Sequence, residues 1–491
     1  MKDVLPFYTL DGSVGLYNKH DEDIYHSVYG AFSEAYDKFI LPAHFEDFFR
    51  KNSEIKILDI CYGIGYNTKS FLNYFLENFY QKKFKKSNTL TENIEPIDTD
   101  NPQCKKYNEQ IHGDNTLNSR YNDEIHSYNV LTRVSENYFL NDSLNQDEKI
   151  NQEKNRNFSF FKNNKQDFNN INRSNFEKTH DQPFINGYKI QIEAIDMSET
   201  LMKVSPLFDS KKFVSKNQKT NINVVDKYLS KKTPNNHKYK LKDEVNMILL
   251  INLLNQYQDK YFSDDIKEIL GDKTFKPFFS SKMIDFMKFY EKQGCNLSCK
   301  ESLSTFLHNI YYQYISKSYK NTLKVLENNE ISINYITDDA RCFVRRSLVR
   351  YDFMFLDAFT PAKCPALWTV DFFNHLYQIL AYDGMILTYS SSSAVRSAMQ
   401  KANFYVGKIF NSNENKFTGT IAVKNPDLIK FPLDKYEQGL LKTKAGIVFT
   451  DKKLSDSNEV IIERRHKEVQ ESNLLSSSQY IKNFKELSNE I

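Results

Sequence analysis

The stretch Ile55-Lys56-Ile57-Leu58-Asp59-Ile60-Cys61-Tyr62-Gly63-Ile64-Gly65-Tyr66-Asn67-Thr68 constrains the fold more than any other part of the chain. Ile55, Ile57, Leu58 and Ile60 give an apolar, partly β-branched run with the length of a core strand. From Asn67 onward, Phe71, Leu72, Phe75, Leu76 and Phe79 recur at helical spacing. A strand, a glycine turn and a helix make half of a nucleotide-binding crossover, in which glycine lets the backbone turn and approach a ligand. The third glycine of a dinucleotide fingerprint is missing. Tyr66, Asn67 and Thr68 follow Gly65, so a pyrophosphate turn and NAD are disfavoured.

The rest of the chain bounds what can be built on this unit. Mean hydropathy is −0.62 and 26% of residues are charged, but 38 Phe and 31 Tyr can still fill a sizeable core. A net charge of +3 does not announce nucleic acid, so any RNA contact has to come from a local basic patch. The six cysteines (Cys61, Cys104, Cys295, Cys299, Cys342, Cys364) include no C-x-x-C pair. Cys295 and Cys299 are half a metal site with nothing to complete it, so no metal is expected and free thiols in a reducing cytosol are the simpler reading. The first residues, Met1 to Pro6, form no apolar leader, and no apolar run reaches membrane-spanning length. A cytoplasmic protein without a membrane segment is expected.

Character changes sharply along the chain. Residues 1–54 read as an N-terminal, substrate-side extension, with a turn at Asp11-Gly12-Ser13, a short strand from Tyr25 to Gly30, and a helix through Phe32, Ala35, Phe39 and Ile40 that breaks at Pro42. Residues 82–185 are an Asn/Lys-rich insertion with no sustained period, expected to be disordered. Residues 206–330 read as a linker and an inserted helical lobe with helices at 245–257, 266–270, 278–290 and 303–326. The remaining segments, 55–80, 186–205 and 331–424, alternate strand and helix with short connections, the signature of a mostly parallel α/β sheet. Two adjacent strands at its end, 404–409 and 419–423, suggest an antiparallel edge strand. Residues 425–491 are a polar C-terminal extension with a charged helix from Asn458 to Glu471.

Successive strands end in acids. Asp59 precedes the glycines, Asp196 closes the strand 188–196, Asp338 or Asp339 follows the strand 331–336, and Asp357 ends the strand 351–357. This pattern suits a cationic, non-phosphorylated ligand such as S-adenosylmethionine (SAM). Gly63 and Gly65 would leave room for it, Asp196 would accept from the ribose hydroxyls, and Asp338 or Asp339 from the adenine amine. A helix N-cap is the competing role for Asp339. After Asp357 comes Ala358-Phe359-Thr360-Pro361-Ala362-Lys363-Cys364-Pro365-Ala366-Leu367-Trp368-Thr369, a proline-stiffened loop that would hold the acid where a methyl sulfonium points. A carboxylate there can accept a proton from an amine and aim its lone pair. Arg341, Arg345, Arg346, Arg350, Lys363 and Arg396 are candidates for phosphate contact, and Tyr25, Tyr29, Phe359 and Trp368 for base stacking.

At these residues the chain resembles a known family. Leu356-Asp357-Ala358-Phe359-x-Pro361-Ala362-Lys363-x-Pro365-x-Leu367-Trp368-Thr369 is similar to the loop of MnmC-type (DUF752) tRNA methyltransferases. Tyr25-His26-Ser27-x-x-Gly30-Ala31-x-x-Glu34 and Asp59-x-x-x-Gly63-x-Gly65-x-Asn67 resemble preceding segments of that family in the same order. The resemblance implies a Rossmann-like class I SAM-dependent methyltransferase fold. It also implies N-methylation of the 5-aminomethyl group of (2-thio)uridine at the wobble position of the tRNA anticodon loop. Asp357 would be catalytic; Asp59, Gly63, Gly65, Asn67, Asp196 and Asp339 would hold SAM; Tyr25, His26, Phe359, Pro361, Lys363 and Trp368 would meet the substrate. Residues 424–491 are too few for the FAD oxidase domain of bifunctional members, so SAM without FAD is expected. Two other classes stay open: a polyamine aminopropyltransferase, which would need an acidic pocket more than a basic rim, and a non-catalytic RNA-binding protein on the same scaffold. The number of subunits is left open.

Overall fold

The computed structural model describes residues 3–19, 22–25, 27–80, 187–210, 219–229, 239–292, 329–411 and 414–489. The insertion 82–185, the helix expected at 303–326, His26, Cys104, Cys295 and Cys299 lie outside the described residues.

Three short strands come first: β1 (Val4–Tyr8), β2 (Val14–Asn18) and β3 (Asp23–Tyr25), paired antiparallel in that order. The strand expected from Tyr25 to Gly30 ends at Tyr25 instead, because pairing with β2 stops at the Leu16–Tyr25 register and Ser27–Gly30 turns back. The Asp11 carboxylate accepts from Ser13 N at 2.9 Å and from Ser33 N at 2.8 Å. It thereby ties the β1–β2 turn to helix α1 (Ala31–Ala35), which continues as a wider π turn to Ile40 and stops at Pro42. Helix α2 (Phe45–Phe49) follows.

The main sheet starts at β4 (Glu54–Ile60), whose glycine turn leads into α3 (Tyr66–Phe75). Then come β5 (Lys189–Asp196), α4 (Glu199–Val204), α5 (Asp243–Tyr257), β6 (Glu330–Thr337), α6 (Ala340–Arg346), β7 (Tyr351–Leu356), α7 (Val370–Ile379), β8 (Leu380–Thr388), α8 (Ser393–Lys401), β9 (Tyr405–Asn411) and β10 (Lys416–Val423). Their spatial order is β6-β5-β4-β7-β8-β10-β9. The first five are parallel; β10 runs antiparallel to both neighbours. The reversed strand therefore sits one place in from the edge, between β8 and β9.

Pleating splits the strands between two cores. Ile55, Ile57, Phe353, Phe355, Ile190 and Ile192 pack with α3 and α5 on one face, while Leu58, Ile60, Met354, Leu356 and Ile386 pack with α6, α7 and α8 on the other. Rather than standing apart as a lobe, α5 belongs to the first core, with Val245 to Leu254 all buried. It also closes the open edge of β6. Asn252 Oδ1 accepts from Ile333 N at 3.1 Å, and Gln256 pairs with Tyr335 N at 2.8 Å and Tyr335 O at 2.6 Å. Side-chain amides here satisfy strand groups that would otherwise template another strand.

The turn after β4 rests on backbone with positive φ: Cys61 at 64°, Gly63 at 55° and Gly65 at 76°. The two glycines differ in surroundings. A Cβ on Gly65 would meet the buried Tyr62 ring at 2.3 Å, whereas a Cβ on Gly63 would have nothing nearer than Cys61 O at 4.0 Å. Gly65→Ala is expected to lose at least about 2 kcal/mol of stability, from backbone strain plus displacement of Tyr62. Gly63→Ala should lose about 1 kcal/mol, from strain alone. Urea unfolding of both variants tests the difference; equal losses would show that the ring contact contributes nothing.

Candidate functional site

The parallel order β6-β5-β4-β7 brings the carboxyl ends of four strands together, and a cleft of about 770 Å³ opens there. Gly63, Asp196, Asp338, Asp339 and Asp357 line it, with Tyr25 and Ser27 from the N-terminal segment and Phe359 and Thr360 from the loop after β7. Among the described residues the lining carries eight carboxylates, from Asp23 to Glu459, and one arginine or lysine side chain, Arg341.

Asp196 is held by the glycine turn itself. Its oxygens accept from Gly63 N and Ser198 N, each at 2.8 Å, and burial raises its pKa. These bonds leave acceptor capacity on both oxygens for a ligand diol. Asp357 follows β7, its backbone N–H donating to Ile60 O at 3.3 Å, so it stands directly beside the turn. Asn67 Nδ2 donates to Asp357 Oδ2 at 3.2 Å. The buried amide of Asn67 thus serves the acid instead of facing the cleft, a correction to its expected cofactor contact.

Asp59 is corrected in the same way. It shares the strand face of Ile55 and Ile57, which points at α3, and is completely buried. Its Oδ2 accepts from Thr68 Oγ1 at 2.6 Å, and its Oδ1 has no hydrogen-bond partner. Burial, opposed by the Thr68 hydrogen bond and reinforced by the charge of Asp357, pushes its pKa up to about 7. Gly65 supports Tyr62 beneath the turn and does not line the cleft. Asp339 combines two roles: it caps α6 by accepting from Arg341 N at 2.8 Å, and it faces the cleft.

The loop after Asp357 is pinned from behind. Trp368 Nε1 donates to Phe359 O and Tyr389 Oη donates to Ala358 O, both at 2.8 Å. Trp368 is fully buried, so it is a scaffold for the loop and not a stacking surface, because its large ring fills the core between α7 and the loop. Phe359 stays in the cleft, edge-on to Tyr25 with ring centroids 5.1 Å apart. Lys363 pairs with Asp23 at 2.8 Å and ties the loop to β3; Pro361 is in the turn before it. Tyr29 packs on the N-terminal sheet instead.

Most of the cations expected to meet phosphate are engaged within the fold. Arg396 bonds Thr420, Gly419 O and Glu437, Arg346 pairs with Asp338, and Arg345 and Arg350 donate to backbone carbonyls. Sequence reasoning missed Tyr389 and the wall formed by Asp456, Ser457, Asn458 and Glu459. No local signal marks them; the second follows from where the chain returns after β10.

The raised pKa of Asp59 carries a pH signature. The folded state holds a proton that the unfolded chain has already lost above about pH 4, so stability falls as pH rises from 4 to 7 and then levels. Asp59→Asn removes this dependence. Its stability relative to the native chain is expected to rise across that window by roughly 4 kcal/mol, read by urea unfolding at pH 4.5 and pH 8. A constant difference would show that Asp59 ionises freely in the folded protein.

Residues 301–425 match the family described as S-adenosyl-L-methionine-dependent methyltransferase. An uncharacterized protein of Methanocaldococcus jannaschii is 30% identical over 135 residues, which cover 27% of this chain and 38% of that protein. The tRNA 5-methylaminomethyl-2-thiouridine biosynthesis bifunctional protein MnmC of Burkholderia vietnamiensis is 34% identical over 83 residues, 17% of this chain and 13% of that protein. The chain thus spans well under half the length of these relatives. Among solved structures, the crystal structure of MNMC2 from Aquifex aeolicus aligns over 95% of this chain and 84% of that one, with a TM-score of 0.45 and 15% identity. The family match over residues 301–425 falls on the segment that holds β6 to β10 and the loop after Asp357, and in this segment the chain is similar to S-adenosyl-L-methionine-dependent methyltransferases.

Proposed function

We propose that this chain transfers a methyl group from SAM to the nitrogen of the 5-aminomethyl group of (2-thio)uridine at the tRNA wobble position, giving 5-methylaminomethyluridine. The observation that carries this reading is Asp357. An acid held by Asn67 stands beside the glycine turn of a SAM-dependent methyltransferase sheet, in a cleft that Phe359 and Tyr25 line with aromatic surface. The MnmC relatives, whose names specify 5-methylaminomethyl-2-thiouridine biosynthesis, support the choice of substrate.

The residues present fit SAM. Gly63 leaves open space beside its Cα, Asp196 keeps acceptor capacity for the ribose hydroxyls, and the acidic lining suits both a sulfonium and an ammonium. Bound SAM supplies an electrophilic methyl carbon on sulfur. Gly63 and Asp196 would hold the cofactor, with Asp339 also on the cleft wall. The substrate base meets the aromatic wall that Phe359 and Tyr25 form together, extruded from a single-stranded loop at low cost. Its amine arrives protonated and must lose a proton before attack. Asp357 accepts that proton and aims the lone pair; Asn67 keeps the carboxylate from rotating away. With SAM bound, that nitrogen would take the methyl carbon as its bond to sulfur breaks, and S-adenosylhomocysteine would be the leaving group.

The acidity of the cleft favours a second reading, because a free polyamine would be attracted to the same eight carboxylates. One assay separates them: labelled SAM with tRNA bearing aminomethyluridine, beside labelled decarboxylated SAM with putrescine. Label at the wobble nucleotide and none in the polyamine is expected; the reverse would replace the proposal. Asp357→Ala should retain SAM affinity while lowering turnover by at least about a hundredfold. Asn67→Ala should lower kcat by roughly tenfold with little change in SAM affinity. Loss of SAM binding in either variant would make that residue part of the cofactor site.

A further inference from the structure

Building on the SAM reading, we infer that the C-terminal segment Asp451–Glu459 forms the wall against the nucleoside end of the cofactor, with Arg341 as the residue that positions it. A cofactor whose methyl reaches Asp357, after β7, and whose ribose reaches Asp196, after β5, must extend its base toward the end of β6. There the cleft is bounded on one side by Asp338–Arg341 and on the other by Asp456–Glu459.

Arg341 spans the two sides. Its Nη2 donates to Asp339 Oδ2 at 2.8 Å and its Nε to both Asp339 oxygens at 3.1 and 3.2 Å. Its Nη1 donates to Asp451 Oδ2 at 2.9 Å and to Asp456 O at 2.8 Å. Asp451 is completely buried, and its other oxygen accepts from Ser455 N and Asp456 N at 3.1 and 3.2 Å, which shapes the loop that enters the wall. Asn458 Oδ1 accepts from Ala366 N at 3.3 Å, so the wall is also fastened to the loop that carries Asp357. A planar, forked guanidinium between two carboxylates fixes distance and angle together, which a lysine ammonium cannot do.

This arrangement redistributes the role first given to Asp339. Both its oxygens already accept from Arg341, by backbone or guanidinium, so it acts chiefly as the anchor of the wall. The fit around the base is then set by Asp456–Glu459 across the cleft. The segment also gives the charged helix α9 (Asn458–Glu471) a reason to begin where it does, with Ser457 as its N-cap.

Hydrogen exchange of the full chain with and without S-adenosylhomocysteine tests the wall without any substitution. Amides at 61–68, 195–198 and 454–460 are all expected to gain protection. Protection of the first two segments without the third would overturn the wall while leaving the SAM site standing; protection of none would remove the SAM reading and the wall with it. A second measurement addresses Arg341. Arg341→Lys keeps the charge but loses the fork, and should weaken S-adenosylhomocysteine and 5′-methylthioadenosine by the same factor, roughly tenfold by calorimetry. It should also reduce the preference for adenine over hypoxanthine in the corresponding inosyl analogue, a ratio that a purely structural residue would not move. Unchanged affinity and an unchanged ratio, or a loss confined to S-adenosylhomocysteine, would overturn the role given to Arg341.

Discussion

The whole site hangs on the backbone between Cys61 and Gly65. Three residues with positive φ turn the chain out of β4 and into α3 within one tight loop, and the Tyr62 ring is buried beneath Gly65 where no side chain fits. That turn exposes Gly63 N to Asp196, which locks the loop to β5 through a 2.8 Å hydrogen bond. It also starts α3 so that Asn67 reaches Asp357 and Thr68 reaches Asp59. One loop therefore organises three strand ends. Cys61, at φ 64°, sits in a conformation that costs an ordinary side chain energy, and the surrounding contacts hold it there.

Behind the cleft, buried polar groups do the positioning. Asp59 accepts from Thr68, Lys69 donates to Ser205 O at 2.8 Å, and Tyr66 Oη accepts from Val14 N at 2.7 Å. Burial lowers the Lys69 pKa to about 7 as it raises that of Asp59 to about 7, so the two groups respond to pH in opposite windows. Stability from a neutral Lys69 is lost as pH falls from the ordinary lysine range toward 7, while the cost of ionised Asp59 grows as pH rises toward 7. Polar groups of this kind are expensive unless satisfied, and in return they fix the orientation of the residues that line the cleft.

Much of the sheet was legible in the sequence. The strands 189–196, 330–337 and 351–356 and the helices 199–204 and 370–379 follow from periodicity, β-branched runs and terminal acids. What was not legible involves contacts distant in sequence. α5 reads as a separate lobe because its pattern is apolar nearly all round; it is so because one side meets the core while Asn252 and Gln256 serve the edge of β6. Likewise, a strand-end acid reads as a ligand contact wherever it occurs, yet Asp59 lies one pleat away from the cleft. A lone tryptophan in a proline-stiffened loop reads equally as a stacking surface or as core, and the structure decides it: Trp368 is buried and holds Phe359 O.

The sequence by itself determined the α/β class, the glycine turn, and the loop after Asp357, because each is written in local pattern: periodicity, φ demands on glycine, and proline stiffness. Only the tertiary structure decided which acids face the cleft, which amide holds Asp357, and that a C-terminal segment becomes a wall of the site. Those outcomes depend on strand order and on side-chain direction across the pleat. Neither is a property of any short stretch of chain; both arise when strands far apart in sequence pair in register.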